Sequence, residues 1–164
     1  MVVSMTFPDL AAPQDIVGMI RLLDKEFPRT FKWMGEVNLV KQALVNNHHT
    51  YATREHIAQW APFMQILRER GIPITIHSDL GNDAEPRKFL DRMEYVLERY
   101  PDNKIVWAHM GLSKELATMP AQEHIAILKT LLDKYPRLML DISWRVIYDN
   151  YFSKPESREQ YVAF

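Results

Sequence analysis

The chain has no cysteine among its 164 residues. Disulfides, thiolate metal sites and cysteine nucleophiles are therefore excluded. A metal ion can be held only by His, Asp or Glu side chains, which favour zinc, manganese, iron or magnesium over softer metals. Glycine is also scarce, with five residues, and no glycine-rich turn of the nucleotide-binding kind joins a strand to a helix.

An excess of charge and a long apolar run are missing as well. Twenty Lys and Arg residues against 21 Asp and Glu leave a formal net charge of -1, and without a basic run this argues against nucleic-acid binding. No apolar stretch approaches the ~20 residues of a membrane span. No signal peptide is visible, so we expect a cytoplasmic protein. We predict one domain over residues 1–164, because 47% hydrophobic residues suffice for a core.

Short apolar runs alternate with amphipathic segments along the chain. Strands are predicted at Met1–Phe7, Thr30–Val40, Ile72–Asp79, Lys104–His109 and Leu138–Trp144. Helices are predicted at Asp15–Phe27, Arg54–Arg70, about 89–100, Gln122–Tyr135 and Glu156–Val162. Three helices end in an aromatic residue before proline, and we expect each aromatic ring to pack under its helix end. Strands that alternate with helices indicate a parallel sheet with right-handed crossovers.

Two architectures fit this order: an open sheet with helices on both faces, and part of an eight-stranded barrel. An open sheet buries both faces, so both should be apolar. Four strands instead carry polar residues on one face: Glu36/Asn38 (with Met34 on the same face), Thr75/His77/Asp79, His109 (with Trp107) and Asp141/Ser143. The opposite faces carry Val37/Leu39, Ile74/Ile76, Val106/Ala108 and Leu140/Ile142. We therefore predict an α/β fold, a partial (β/α)8 TIM-type barrel with about five parallel strands and outer helices.

Three potential metal ligands fall near the carboxyl ends of successive predicted strands, namely Glu36, His77 and His109. Two imidazoles and one carboxylate suffice for a catalytic zinc that keeps one position open for water. Structural explanations stand beside this one: His77 as an interior histidine, and Glu36 as the partner of a lysine. Asp79 is predicted to be a helix-capping or turn residue. Gly35, inside a strand, indicates a bulge or a close backbone approach.

Four segments in this order resemble strands four to seven of the metal-dependent amidohydrolase superfamily. They are GEVNL (35–39), PITIHSDLG (73–81), KIVWAHMG (104–111) and LMLDIS (138–143). The resemblance runs from about Met1 to Ser143, with Met1–Phe7 in the place of strand three, and is closest to the amidohydrolase-like hydrolases and related decarboxylases. It implies a (β/α)8 barrel that hydrolyses amides, esters or lactones, or decarboxylates aromatic acids.

The resemblance also implies roles for single residues. His77 matches the metal-binding histidine of strand five, and His109 matches the strand-six histidine that binds a second metal or contacts the substrate. Glu36 lies on a strand that supplies a bridging or outer ligand, so His109 and Glu36 are candidates for both catalysis and metal binding. The implied cofactor is a divalent metal, with zinc first and manganese or iron as alternatives.

The family's His-x-His pair of strand one and aspartate of strand eight are not found in these residues. We therefore expect a fragment or a truncated product, with weak or no activity and with the metal bound poorly or absent. Open barrel edges predict self-association between copies. The alternatives are a non-catalytic binding or scaffold domain, a decarboxylase of the same superfamily and, ranked last, an open sheet that binds a phosphorylated ligand.

The remaining candidates concern a small-molecule substrate. Asp141 either lines the pocket or holds a loop, and Arg145 either binds a substrate carboxylate or forms a surface salt bridge. Both are predicted substrate-binding residues. His48, His49 and His56 resemble a metal cluster in the sequence, but their polar surroundings favour a solvated surface role.

Overall fold

The computed structural model describes residues 2–7, 10–47 and 50–164. Five strands form one sheet: β1 Val3–Met5, β2 Phe31–Val40, β3 Ile74–Ser78, β4 Ile105–Trp107 and β5 Leu138–Leu140. All four pairings are parallel, and the strands are arranged in chain order. The prediction of about five parallel strands is confirmed.

Strand order decides between the two predicted architectures. When every strand lies beside its predecessor, right-handed crossovers place all the helices on one side, whereas a doubly wound sheet reverses its order at a switch point. No reversal occurs among the five strands described. On one face the side chains are at most 1% exposed: Met34, Val37, Ile74, Ile76, Ile105 and Trp107. On the other face Thr75 is partly exposed and Met139 is 39% exposed. The sheet is therefore part of a barrel with outer helices.

The helices follow the predicted positions closely. They are α1 Gln14–Glu26, α2 Arg54–Ala58, α3 Ala61–Arg70, α4 Leu90–Arg99, α5 Ala121–Lys134, α6 Arg145–Ile147 and α7 Pro155–Ala163. Short 3₁₀ segments occupy Gln42–Asn47 and Ala108–Gly111, and a π turn occupies Tyr148–Phe152. None of the helices in the described ranges is both long and apolar enough to cross a bilayer.

One predicted helix is divided in two. Residues 54–70 form α2 and α3, because Pro62 stands in the first turn of α3 and its ring would clash with the carbonyl of Ala58 in a continuous helix. The aromatic helix ends are confirmed in two cases, where Tyr100 and Tyr135 are buried. The third prediction is wrong, because Phe27 is 54% exposed, although its ring makes an edge-type contact with the Phe31 ring.

Gly35 produces the predicted irregularity in β2. Its φ is +118°, and a Cβ built on it would lie 2.5 Å from the Thr75 carbonyl oxygen, so only glycine fits. Met34 pairs with Ile74 but Val37 pairs with Ile76, which means that β2 has one extra residue here. The bulge moves Met34 onto the buried face, and the prediction that it shares a face with Asn38 is wrong.

The predicted faces of β4 are reversed. Trp107 pairs with Ile76 and lies on the buried face, whereas Val106 pairs with Thr75 on the other face. The strand ends at Trp107, and His109 leaves it through a turn in which His109 and Met110 both have a φ of 55°. This left-handed turn, rather than strand alternation, directs the His109 side chain.

Candidate metal centre

Glu36 in β2, His77 near the carboxyl end of β3 and His109 just after β4 come together. One ligand-type atom from each residue lies within 4.8 Å of the others. His77 Nδ1 is 2.8 Å from Glu36 Oε1, and His109 Nε2 is 3.5 Å from Glu36 Oε2. The Glu36 carboxylate thus lies between the two imidazoles, and the sequence-predicted trio forms one cluster.

A second carboxylate lies behind each imidazole. Asp79 Oδ1 is 2.9 Å from His77 Nε2, and Asp141 Oδ2 is 3.1 Å from His109 Nδ1. His77 Nδ1 and His109 Nε2 are left facing Glu36. Metal-binding histidines commonly hold a carboxylate on the ring nitrogen that is turned away from the ion, which fixes the tautomer and the ring orientation.

Asp79 has a larger role than the sequence predicted. Its Oδ2 accepts a hydrogen bond of 2.8 Å from the backbone N–H of Gln42, the first residue of a 3₁₀ segment, so a capping function is present. Its other oxygen orients His77, and the side chain is buried. The available signal was its position two residues after His77, on the same face of the strand.

Asp141 follows β5 and lies beside His109, whose Nδ1 is hydrogen bonded to the carbonyl oxygen of Ser143 at 2.9 Å. The Oδ2 of Asp141 accepts from the His109 backbone N–H at 3.2 Å and from the Ser143 hydroxyl at 2.8 Å. Burial raises the pKa of Asp141, but the hydrogen bonds from Ser143 and His109 outweigh it, so the pKa lies below its ordinary value. Its predicted contact with a substrate stays a prediction.

The cluster combines an ionised carboxylate with two titratable rings. Hydrogen bonds from His109 and His77 hold the pKa of Glu36 far below its ordinary value, against the opposing effect of burial. Burial lowers the pKa of His77, but the bonds to Asp79 and Glu36 outweigh it and leave the pKa raised. The surroundings that retain a proton on His77 also attract a cation. Lys41 Nζ lies 3.0 Å from Glu36 Oε1, so the predicted lysine partner is present too.

A cavity of about 130 Å³ opens beside His77. Its lining is completed by Lys41, Ala43, Asp79, Ser113, Lys114, Glu115 and Trp144. The Trp144 ring lies 4.9 Å from the His109 ring, centroid to centroid. The buried Ser113 hydroxyl has no hydrogen-bond partner among the described residues. This volume holds a few water molecules, at about 30 Å³ each.

The other predicted residues lie elsewhere or outside the described ranges. Arg145 is 87% exposed and pairs with Asp149 at 3.1 Å, and no contact with the cluster is found in the described parts of the chain. His56 exchanges hydrogen bonds with Thr53 in a capping box that begins α2. His48 and His49 lie outside the described residues.

Comparison with known proteins places this geometry in a family. A family model described as amidohydrolase matches residues 9–164, a range that includes β2 to β5 and all three residues of the cluster. Comparisons with curated proteins and with solved structures found no match. Because the family model matches nearly the whole chain, the chain belongs to the amidohydrolase family.

Proposed function

We propose that this chain is a metal-dependent hydrolase domain whose divalent cation is held by Glu36, His77 and His109. The donor set supports zinc, because imidazole nitrogens suit zinc and iron; iron is an alternative for the same reason, and manganese is one because the Glu36 carboxylate suits it. The observation that carries the proposal is the convergence of the three side chains, with a carboxylate behind each imidazole.

Residues around the cluster would orient its metal-binding side chains and line the cavity in which a substrate would bind. Asp79 presents His77 Nδ1 to the centre, and the Ser143 carbonyl, with Asp141 beside it, presents His109 Nε2. The cavity beside His77, closed on one side by Trp144, offers room for water and a small substrate. When bound, the cation supplies Lewis-acid activation of water and of an amide, ester or lactone carbonyl.

The test is turnover by the purified chain after metal removal and reconstitution. Amides, esters and lactones are offered to the metal-free protein and to protein loaded with zinc, manganese or iron. We expect slow hydrolysis that requires added metal and is lost in His109→Asn. His56→Gln is the matched control, because glutamine is a usual residue at that capping-box position and should leave turnover unchanged.

Three other outcomes would contradict the proposal. Turnover that survives metal removal would exclude a metal-dependent reaction. Release of carbon dioxide from aromatic acids without hydrolysis would favour the decarboxylase alternative. Ligand binding without any turnover would favour a non-catalytic binding domain.

A further inference from the structure

His124, on α5, is a buried histidine that takes no part in the proposed metal centre. Its side chain is inaccessible to solvent, and both ring nitrogens are hydrogen bonded. Nε2 lies 2.9 Å from the carbonyl oxygen of Met110, and Nδ1 bonds to the hydroxyl of Tyr161 on α7. His124 therefore connects the last helix of the chain to the turn that follows β4.

The direction of these hydrogen bonds follows from their partners. A carbonyl oxygen only accepts, so His124 Nε2 carries the hydrogen and donates it to Met110. The Nδ1 of a neutral ring must then accept from the Tyr161 O–H. Burial lowers the pKa of His124 to about 4, which keeps the ring neutral near pH 7. The chain of donors runs from Tyr161 through His124 to Met110.

Met110 lies in a turn that needs support. His109 and Met110 have a φ of 55° and Gly111 has a φ of 75°, so two residues with side chains occupy the left-handed region that they rarely adopt. Hydrogen bonds from other segments hold the backbone of this turn, and the His109 ring is also bonded to the Ser143 carbonyl. Asp141 accepts from the His109 N–H, Leu80 donates to the Gly111 carbonyl, and His124 donates to the Met110 carbonyl.

We propose that His124 is a positioning residue which, with Tyr161, holds the left-handed turn that directs His109 at Glu36. Through this relay α7 is tied to the candidate metal centre, although α7 contributes no residue to the cluster. The geometric part of the inference needs no metal. Its consequence for metal binding rests on the proposed function.

Tyr151 provides a matched control within the same aromatic cluster. Its ring stacks on His124, with centroids 5.9 Å apart and an interplanar angle of 17°. Its hydroxyl donates to the Met119 carbonyl at 2.9 Å and bonds neither His124 nor Met110. Tyr151→Phe and Tyr161→Phe each remove one hydrogen-bonded hydroxyl, but only the second breaks the relay.

The experiment is amide hydrogen exchange and ¹⁵N NMR on the metal-free full chain. The probe is the Leu112 N–H, which donates to the His109 carbonyl at 3.0 Å and closes the turn. We expect exchange at Leu112 to become roughly 3- to 10-fold faster in Tyr161→Phe, as for the loss of one hydrogen bond. The His109 imidazole signals should shift in Tyr161→Phe and stay unchanged in Tyr151→Phe.

Equal effects of the two substitutions, or no effect of Tyr161→Phe, would overturn the positioning role. His124→Gln, which keeps an amide donor, should disturb the turn less than His124→Leu.

Zinc titration then separates the two proposals. If Tyr161→Phe alters the turn while the unmodified chain binds no zinc, the proposed function fails and the positioning role stands. If the unmodified chain binds zinc, Tyr161→Phe should bind it roughly 10-fold more weakly.

Discussion

At the scale of single residues, the groups behind the two imidazoles orient the candidate centre: Asp79 behind His77, and Asp141 with the Ser143 carbonyl behind His109. Asp79 and Asp141 bring their carboxylates to the outer nitrogens of His77 and His109. Each aspartate is itself fixed by hydrogen bonds, to Gln42 and to Ser143 respectively. The imidazoles are therefore held with defined nitrogens facing Glu36, so less ordering is required when a cation binds.

The first prediction concerns Asp79→Asn. The amide keeps the size of the side chain but removes the charge that orients His77, so we expect zinc affinity to fall roughly 10- to 100-fold. Calorimetric titration measures this. Asp149→Asn, at an aspartate that pairs with Arg145 on the surface, is the control and should leave affinity unchanged. Equal zinc affinities in Asp79→Asn and in the unmodified chain would contradict the orienting role of Asp79.

The second prediction concerns the buried imidazole of His124. Its folded-state pKa is about 4, below the ordinary 6.5. Between these values the unfolded chain binds a proton that the folded chain excludes, so stability is complete above pH 6.5 and is lost as pH falls towards 4. The loss amounts to at most about 3 kcal/mol.

Urea unfolding of the unmodified chain and of His124→Gln at pH 7 and pH 4.5 isolates this contribution from that of other titrating groups. The unmodified chain should lose about 2 kcal/mol more than the variant over this range, because pH 4.5 is still above the folded-state pKa. Parallel losses in the two proteins would show that His124 is already protonated or solvated in the fold.

At the scale of elements, the bulge in β2 brings Glu36 towards His77. Gly35 has no room for a Cβ against the Thr75 carbonyl. We expect Gly35→Ala to lower the free energy of unfolding by about 2 kcal/mol or more. Gly18, in α1, has no atom within 4 Å of a built Cβ, and Gly18→Ala should stabilise by about 0.5–1 kcal/mol. Denaturant unfolding gives both values, and a stabilising Gly35→Ala would contradict the described bulge.

The elements themselves could be predicted from the sequence because apolar periodicity reports which faces are buried. Alternation fails as a guide once a strand ends. Alternation continued past Trp107 to His109 predicts reversed faces for β4, because the strand ends at Trp107 and His109 reaches the cluster through a turn. The left-handed conformations of His109 and Met110 have no local signal, because neither residue is a glycine. The orienting role of Asp79 could not be predicted, because an aspartate that caps a helical segment and an aspartate that orients a histidine look the same in a sequence. The segment 145–152 lacks clear periodicity, so α6 and the π turn were not predicted.

At the scale of the whole molecule, the sheet has five strands where a closed barrel of this kind has eight. Beyond β5 several large apolar side chains are exposed, with Ile142 at 65%. Self-association through this edge stays a prediction. We expect light scattering to detect larger species as concentration rises, and Ile142→Lys to reduce them. Val162→Lys, at an exposed residue of α7, is the control. A monomer at every concentration would contradict the prediction.

Metal binding tests the central claim most directly. The chain is first freed of bound metal and then dialysed against excess zinc. The zinc that stays bound is measured for the unmodified chain, His77→Ala and His56→Gln. We predict about one ion per chain in the unmodified protein and in His56→Gln, and none in His77→Ala. An unmodified chain without zinc, or a His77→Ala variant that retains it fully, would contradict the account.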